Sequence, residues 1–180
     1  MNNTDVYLIG GDSPSLLSHP YNVQRSCLLL NIETAKISMK EPMRCARAFD
    51  HAVACVKNYL FVVGGWKNKC DEVVKDVERY DVVREQWVGV AEWDEFGAGV
   101  ALVVVGSRYL FGFGGVGMED EVNGDPDEFP TEGVVKKFDS LKGEAGWKTI
   151  KLKRPLKTPG NSYGLLLINN STVLVFGGST

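Results

Sequence analysis

Four apolar runs along the chain end in a glycine pair: VYLIGG at 6–11, LFVVGG at 60–65, LFGFGG at 110–115 and VLVFGG at 173–178. Three of them follow a second apolar run across a short turn: 52–56 across Lys57-Asn58, 100–105 across Gly106-Ser107, and 165–168 across 169–172. Two apolar runs joined so tightly predict a hairpin. The runs are apolar throughout rather than alternating, which suits strands buried on both faces. After each of the first three pairs come a polar loop and a mixed strand, at 27–33, 77–82 and 134–139. The middle one alternates, with Val77, Arg79 and Asp81 facing one way and Glu78, Tyr80 and Val82 the other. A fourth strand follows, at 36–39, 86–91 and 147–152.

The second glycines of the pairs, Gly11, Gly65, Gly115 and Gly178, recur every 50 to 60 residues or so. Self-similarity at such a period predicts stacked supersecondary units, and four antiparallel strands per unit make one blade of a β-propeller. Composition agrees. The 20 glycines in 180 residues are about 11%, above the usual level of about 7%. Glycine at a strand end lets the backbone turn through angles closed to other residues and lets a flat ring lie against it.

The chain resembles the kelch-repeat family. The family pattern is two strands ending in Gly-Gly, then Tyr-Asp, then a tryptophan several residues later. The central unit carries Arg47, His51, Gly64-Gly65, VERYD at 77–81 and Trp87; the third carries Gly114-Gly115, Phe138-Asp139 and Trp147. The first departs from the pattern, with Gly10-Gly11, Leu30-Asn31 and Ile37 where tryptophan would fall. The expected fold is all-β: a partial kelch-type β-propeller of about three four-stranded antiparallel blades, open rather than a closed ring. The repeat units fall at about 1–42 (partial), 43–93, 94–153 and 154–180 (partial), in a single domain. Both ends supply the same strand type, so joining them would duplicate a strand instead of completing a blade. An open array leaves unpaired edges, and these invite self-association.

Charge and cysteine narrow the function classes. A net charge of −3 and a pI near 5.5 argue against nucleic-acid or membrane-surface partners, for which a basic face supplies most of the affinity. No basic segment followed by an apolar one opens the chain, and no apolar run approaches the roughly 20 residues of a membrane span. Cys27, Cys45, Cys55 and Cys70 lack CxxC spacing and read as reduced packing thiols of a cytoplasmic protein, the nucleus being the other compartment open to it. The sequons at Asn2, Asn169 and Asn170 are then silent.

No catalytic, cofactor or metal residue is expected. His19 and His51 stand apart from Cys, Asp or Glu at ligand spacing. The stretch 112–117 satisfies GxGxxG, but an acidic segment with Pro126 and Pro130 follows where a helix would be needed. The loop 118–133 has seven carboxylates, yet Val122 falls at the third ligand position counted from Asp120. Function is expected on loops instead. In a propeller, loops joining the second to the third strand and loops joining blade to blade share one face, which binds protein partners in proteins of this kind. On that face the candidates are Trp66 as an exposed anchor, Lys67 and Lys69 beside it, Trp93 and Phe96 as further aromatics, and Arg44 and Arg154 for acidic groups. The resemblance thus implies a protein-interaction module, the recognition part of an adaptor such as a ubiquitin-ligase substrate receptor. The alternative is a fragment of a kelch-fold enzyme of metal-dependent oxidase or specifier type.

Overall fold

A computed structural model describes residues 4–13, 22–23, 25–67, 72–93, 97–116, 134–142, 146–154, 156 and 160–179. Its strands assemble, in chain order, into five antiparallel sheets, four of which stack as blades. Blade 1 holds β1 (Asp5–Ile9), β4 (Cys27–Asn31) and β5 (Lys36–Met39), with the short β2 (Asp12–Ser13) and β3 (Asn22–Val23) paired in the loop between. Blade 2 holds β6 (Phe49–Val56), β7 (Tyr59–Trp66), β8 (Asp76–Asp81) and β9 (Gln86–Glu92). Blade 3 holds β10 (Ala101–Val105), β11 (Tyr109–Phe113), β12 (Val135–Asp139) and β13 (Lys148–Thr149). Blade 4 holds β14 (Asn161–Asn169) and β15 (Thr172–Ser179).

All four sheets follow chain order, so each blade is a meander. Hydrophobic pattern and turn chemistry specify this locally. Lys57 takes a positive φ of 55° in the two-residue turn between β6 and β7, and Gly106 and Ser107 take 61° and 49° at the matching turn of blade 3. One expected strand shrinks: the fourth of blade 3, predicted over 147–152, is only Lys148–Thr149.

The blades touch most closely through their first strands, β10 lying against both β6 and β14. The core is three wedges between neighbouring sheets. Tyr7 and Ile9 of blade 1 meet Leu60, Val62, Tyr80 and Trp87 of blade 2. Phe61 of blade 2 meets Leu110 and Phe138 of blade 3, and Val103 and Phe113 of blade 3 meet Tyr163, Leu165 and Val175 of blade 4. Strand faces alternate between wedges, which is why runs such as LFVV are apolar at every position. β7 is the extreme case, buried from Leu60 to Trp66.

Candidate interaction face

The glycine pairs are joints. Gly64 and Gly65 have φ of 66° and 95°, and a Cβ on Gly64 would be driven into the Gly97 carbonyl oxygen. That approach lets the Gly65 N–H donate to Gly97 O at 3.0 Å; Gly11 N–H donates likewise to Arg47 O at 3.1 Å and Gly115 N–H to Gly160 O at 3.3 Å. A second string runs beside it: Gly99 N–H donates to Asp50 O at 2.9 Å and Ser162 N–H to Gly99 O at 2.7 Å. Asp50, Gly99 and Ser162, one per blade, all take positive φ, at 57°, 67° and 56°. Backbone hydrogen bonds therefore pin each blade to the next.

The aspartate of each aromatic-Asp pair holds a turn. Asp81 Oδ1 accepts from Val83 N at 2.9 Å and Arg84 N at 3.1 Å, and Asp139 Oδ1 accepts from Leu141 N at 3.1 Å. Asn31 Oδ1 does the same for Thr34 N at 3.0 Å in blade 1, so asparagine there keeps the function. Arg108 grips Asp139 with two bonds, of 2.9 and 2.6 Å, and holds its carboxyl down at about 2. The tryptophan fills the wedge: Trp87 lies 5.0 Å from Tyr80 and donates its Nε1–H to Glu41 O at 2.7 Å. Trp147 lies 5.2 Å from Phe138 in the same role.

Antiparallel order puts the loops after β1, β7 and β11 at the same end as the connections between blades. Backbone bonds tie the two sets together there. Met43 N–H donates to Arg25 O at 2.8 Å, Trp93 N–H to Lys75 O at 2.7 Å, and Val116 N–H to Ala98 O at 2.7 Å. The connection from blade 1 to blade 2 is organised by a buried ion pair. Arg47, fully buried, donates to Glu78 Oε1 at 3.0 Å, Gly64 O at 2.7 Å and Asp76 O at 2.8 Å. Glu78, 1% exposed, also accepts the N–H groups of Arg44 at 2.7 Å and Cys45 at 3.0 Å. Burial pulls the Arg47 guanidinium below its ordinary value and Glu78 pushes it back. His51 reaches the other way, its Nε2–H donating to Ile9 O at 2.9 Å; burial lowers its pKa, and Nδ1 faces no partner among the described residues.

On this face the sequence-predicted residues divide. Arg44 is exposed, its guanidinium over Gly89, and its carbonyl accepts from Arg25 Nη1 at 3.3 Å. Arg154 is exposed too. Lys67 is exposed and bound to Glu72, at 2.9 and 3.0 Å, which spends much of its charge locally. The exposure expected for the tryptophans is corrected. β7 continues past the glycine pair, pairing Phe49 with Trp66, and Trp66 is only 7% exposed. Trp93 is 4% exposed, packed over Gly112 and edge-on to Trp147 at 4.6 Å. Trp93 is a wedge residue between blades 2 and 3, and Trp66 is buried as the last residue of β7. Lys69, Phe96 and the acidic loop 118–133 lie outside the described residues.

Sequence reasoning missed Glu78. It sits in an alternating strand where a carboxylate reads as solvated, and only its distance from Arg47 in space reveals it. It missed the Asp50–Gly99–Ser162 string as well, which is backbone chemistry with no side-chain signature. Among the described residues no group of three or more His, Cys, Asp or Glu could hold a metal ion. No helix there is long and apolar enough to cross a membrane. At the hairpin end of blade 3 a cavity of about 220 Å³ is lined by Tyr109, Lys137, Asp139, Lys142 and Lys148.

Stacked antiparallel meanders of up to four strands, with an aromatic wedge and a glycine joint at each boundary, define a β-propeller type of protein. Residues 47–92 match the Kelch motif. The chain is also 30% identical over 112 residues to Kelch-like protein 38 of Rattus norvegicus, an alignment covering 59% of this chain and 18% of that protein. The chain thus carries a kelch motif, which coincides with blade 2. It spans less than a fifth of the length of the curated relative it matches.

Proposed function

We propose that the chain is a non-enzymatic protein-interaction module whose partner docks on the loop face, with Arg44 and Arg154 meeting acidic groups. The observation that carries this reading is the division of labour in the repeat. Every motif residue among the described ones is committed to structure: Gly64 and Gly65 to a joint, Asp81 and Asp139 to turns, Trp87 and Trp147 to wedges. The groups left for a ligand sit on the loops, where Arg44 is exposed while its backbone N–H is fixed by buried Glu78. A charged group on a rigid base loses little freedom on binding. The similarity to a Kelch-like protein supports the same class of activity. In a larger assembly such a module would act as the recognition part of an adaptor, for instance a ubiquitin-ligase substrate receptor. The test is affinity capture from a cell extract with the chain as bait, comparing wild type with Arg44→Glu and Arg154→Glu on the loop face and Lys57→Glu at the hairpin end. Loss of the same captured proteins in the loop-face variants alone supports the reading; equal capture by all four proteins refutes it.

A further inference from the structure

Aligning the glycine pairs places His51, Val100 and Tyr163 at one position of the repeat, opposite the first glycine of each pair. The side chain at this position fills the joint with the preceding blade. Tyr163 is wedged between Gly114 of blade 3 and Gly178 of its own blade, where a Cβ on either glycine would come within 2.6 Å of the ring. His51 stands in the same way between Gly10 of blade 1 and Gly65 of blade 2. A Cβ on Gly10 would lie 2.9 Å from His51 Cε1, and one on Gly65 would lie 2.7 Å from His51 Cβ. Val100 is buried in the cluster between blades 2 and 3. Of the three, only the imidazole takes up a proton near neutral pH.

That imidazole has one bond to keep and one nitrogen left over. Its Nε2–H donates to Ile9 O across the joint at 2.9 Å, so Nδ1 is the atom a further proton would take. Nδ1 is buried without a hydrogen-bond partner. Protonation therefore puts a charge and an unpaired N–H donor inside the joint, both costly away from water. Arg47, on the connection from blade 1, opposes that proton, and exposed Asp50, next along β6, favours it. Glu78, paired with Arg47, is already committed to the N–H groups of Arg44 and Cys45. From β1 and β7 the ring meets Ile9, Gly10 and Gly65, which carry no charge. We infer that the joint between blades 1 and 2 is a pH-sensitive switch: protonation of His51 opens it, because separating the blades gives the new Nδ1–H access to water, while the joints built on Val100 and Tyr163 stay closed. The bond from Gly11 N–H to Arg47 O, 3.1 Å long, crosses the same joint and breaks with it.

Amide exchange of the whole chain, resolved by NMR and corrected for the intrinsic effect of pH, tests this between about pH 7.5 and about pH 5.5. The Gly11 amide reports the joint between blades 1 and 2, and the Gly115 amide, bonded to Gly160 O, reports the joint between blades 3 and 4. With the imidazole at its ordinary 6.5 in the open state, linkage lets Gly11 protection fall by up to about tenfold over that range. Gly115 protection is expected to hold. His51→Gln keeps an N–H for Ile9 O and cannot titrate. It should match wild type in circular dichroism and Tm at the upper pH, and its Gly11 protection should not change with pH. The ring resonances of His51 in the wild-type chain give a reading that needs no variant, with an expected midpoint below 6.5. Gly11 protection that does not fall, an equal fall at Gly115, a fall that survives in His51→Gln, or a His51 midpoint at or above 6.5 would each overturn the inference.

Discussion

Glu78 accepts three hydrogen bonds from one connection and is the carboxylate paired with the buried Arg47 guanidinium. Its removal leaves a buried charge uncompensated, which costs about 3–5 kcal/mol when one partner of a buried pair is deleted. Glu78→Ala should therefore lower the stability measured by urea unfolding by that amount, whereas Glu78→Gln, still able to accept, should cost less. His51 works in the opposite sense. Its imidazole is held neutral, burial lowering its pKa from the ordinary 6.5. The folded state then binds fewer protons than the unfolded state, so stability is full above about pH 6.5 and falls as pH drops toward the folded-state value. Urea unfolding between pH 7.5 and 5 or so should show that slope. A His51→Gln variant, which keeps an N–H for the Ile9 carbonyl, should lose most of it.

At the scale of elements, the same residue type at two positions gives two outcomes. Gly106 has a φ of 61° in a hairpin turn with nothing within 4 Å of a built Cβ, and Gly64 has a φ of 66° with the Gly97 carbonyl in the way. Gly106→Ala should cost only the left-handed backbone penalty, about 1–2 kcal/mol. Gly64→Ala must in addition push blades 2 and 3 apart, and should lower Tm by a clearly larger step in calorimetry. This contrast marks what the sequence reveals about elements. Apolar runs, short turns and glycine pairs are local signals, and they place the blade strands within a few residues. The direction a strand-end side chain takes is not local. Trp66 and Trp93 stand at strand ends in sequence, yet both are buried, and Trp93 has a neighbouring blade to pack against, which only the stacking shows. Arg47 and Glu78 are 31 residues apart and their pairing leaves no trace in either segment.

Among the described residues the molecule is a short stack whose blades pack chiefly on their neighbours, so local stability should depend on position. β7 lies between β6 and β8, buried from Leu60 to Trp66, with a packed wedge on both faces. β15 pairs with β14 alone and is exposed from Phe176 to Ser179. Amide hydrogen exchange should accordingly be slowest in β7 and β8, at rates set by global unfolding, and fastest in β5 and β15. Uniform rates across the four blades would instead mean that the stack opens as one cooperative unit. The gradient bears on the loop face. Arg44 is anchored through Glu78 to the best-protected blade, whereas Arg154 lies on the connection to blade 4. A partner held by both would order the blade 4 side far more than the blade 2 side. Protection gained on binding should therefore concentrate in β14 and β15, and its appearance in β7 instead would place the contact elsewhere.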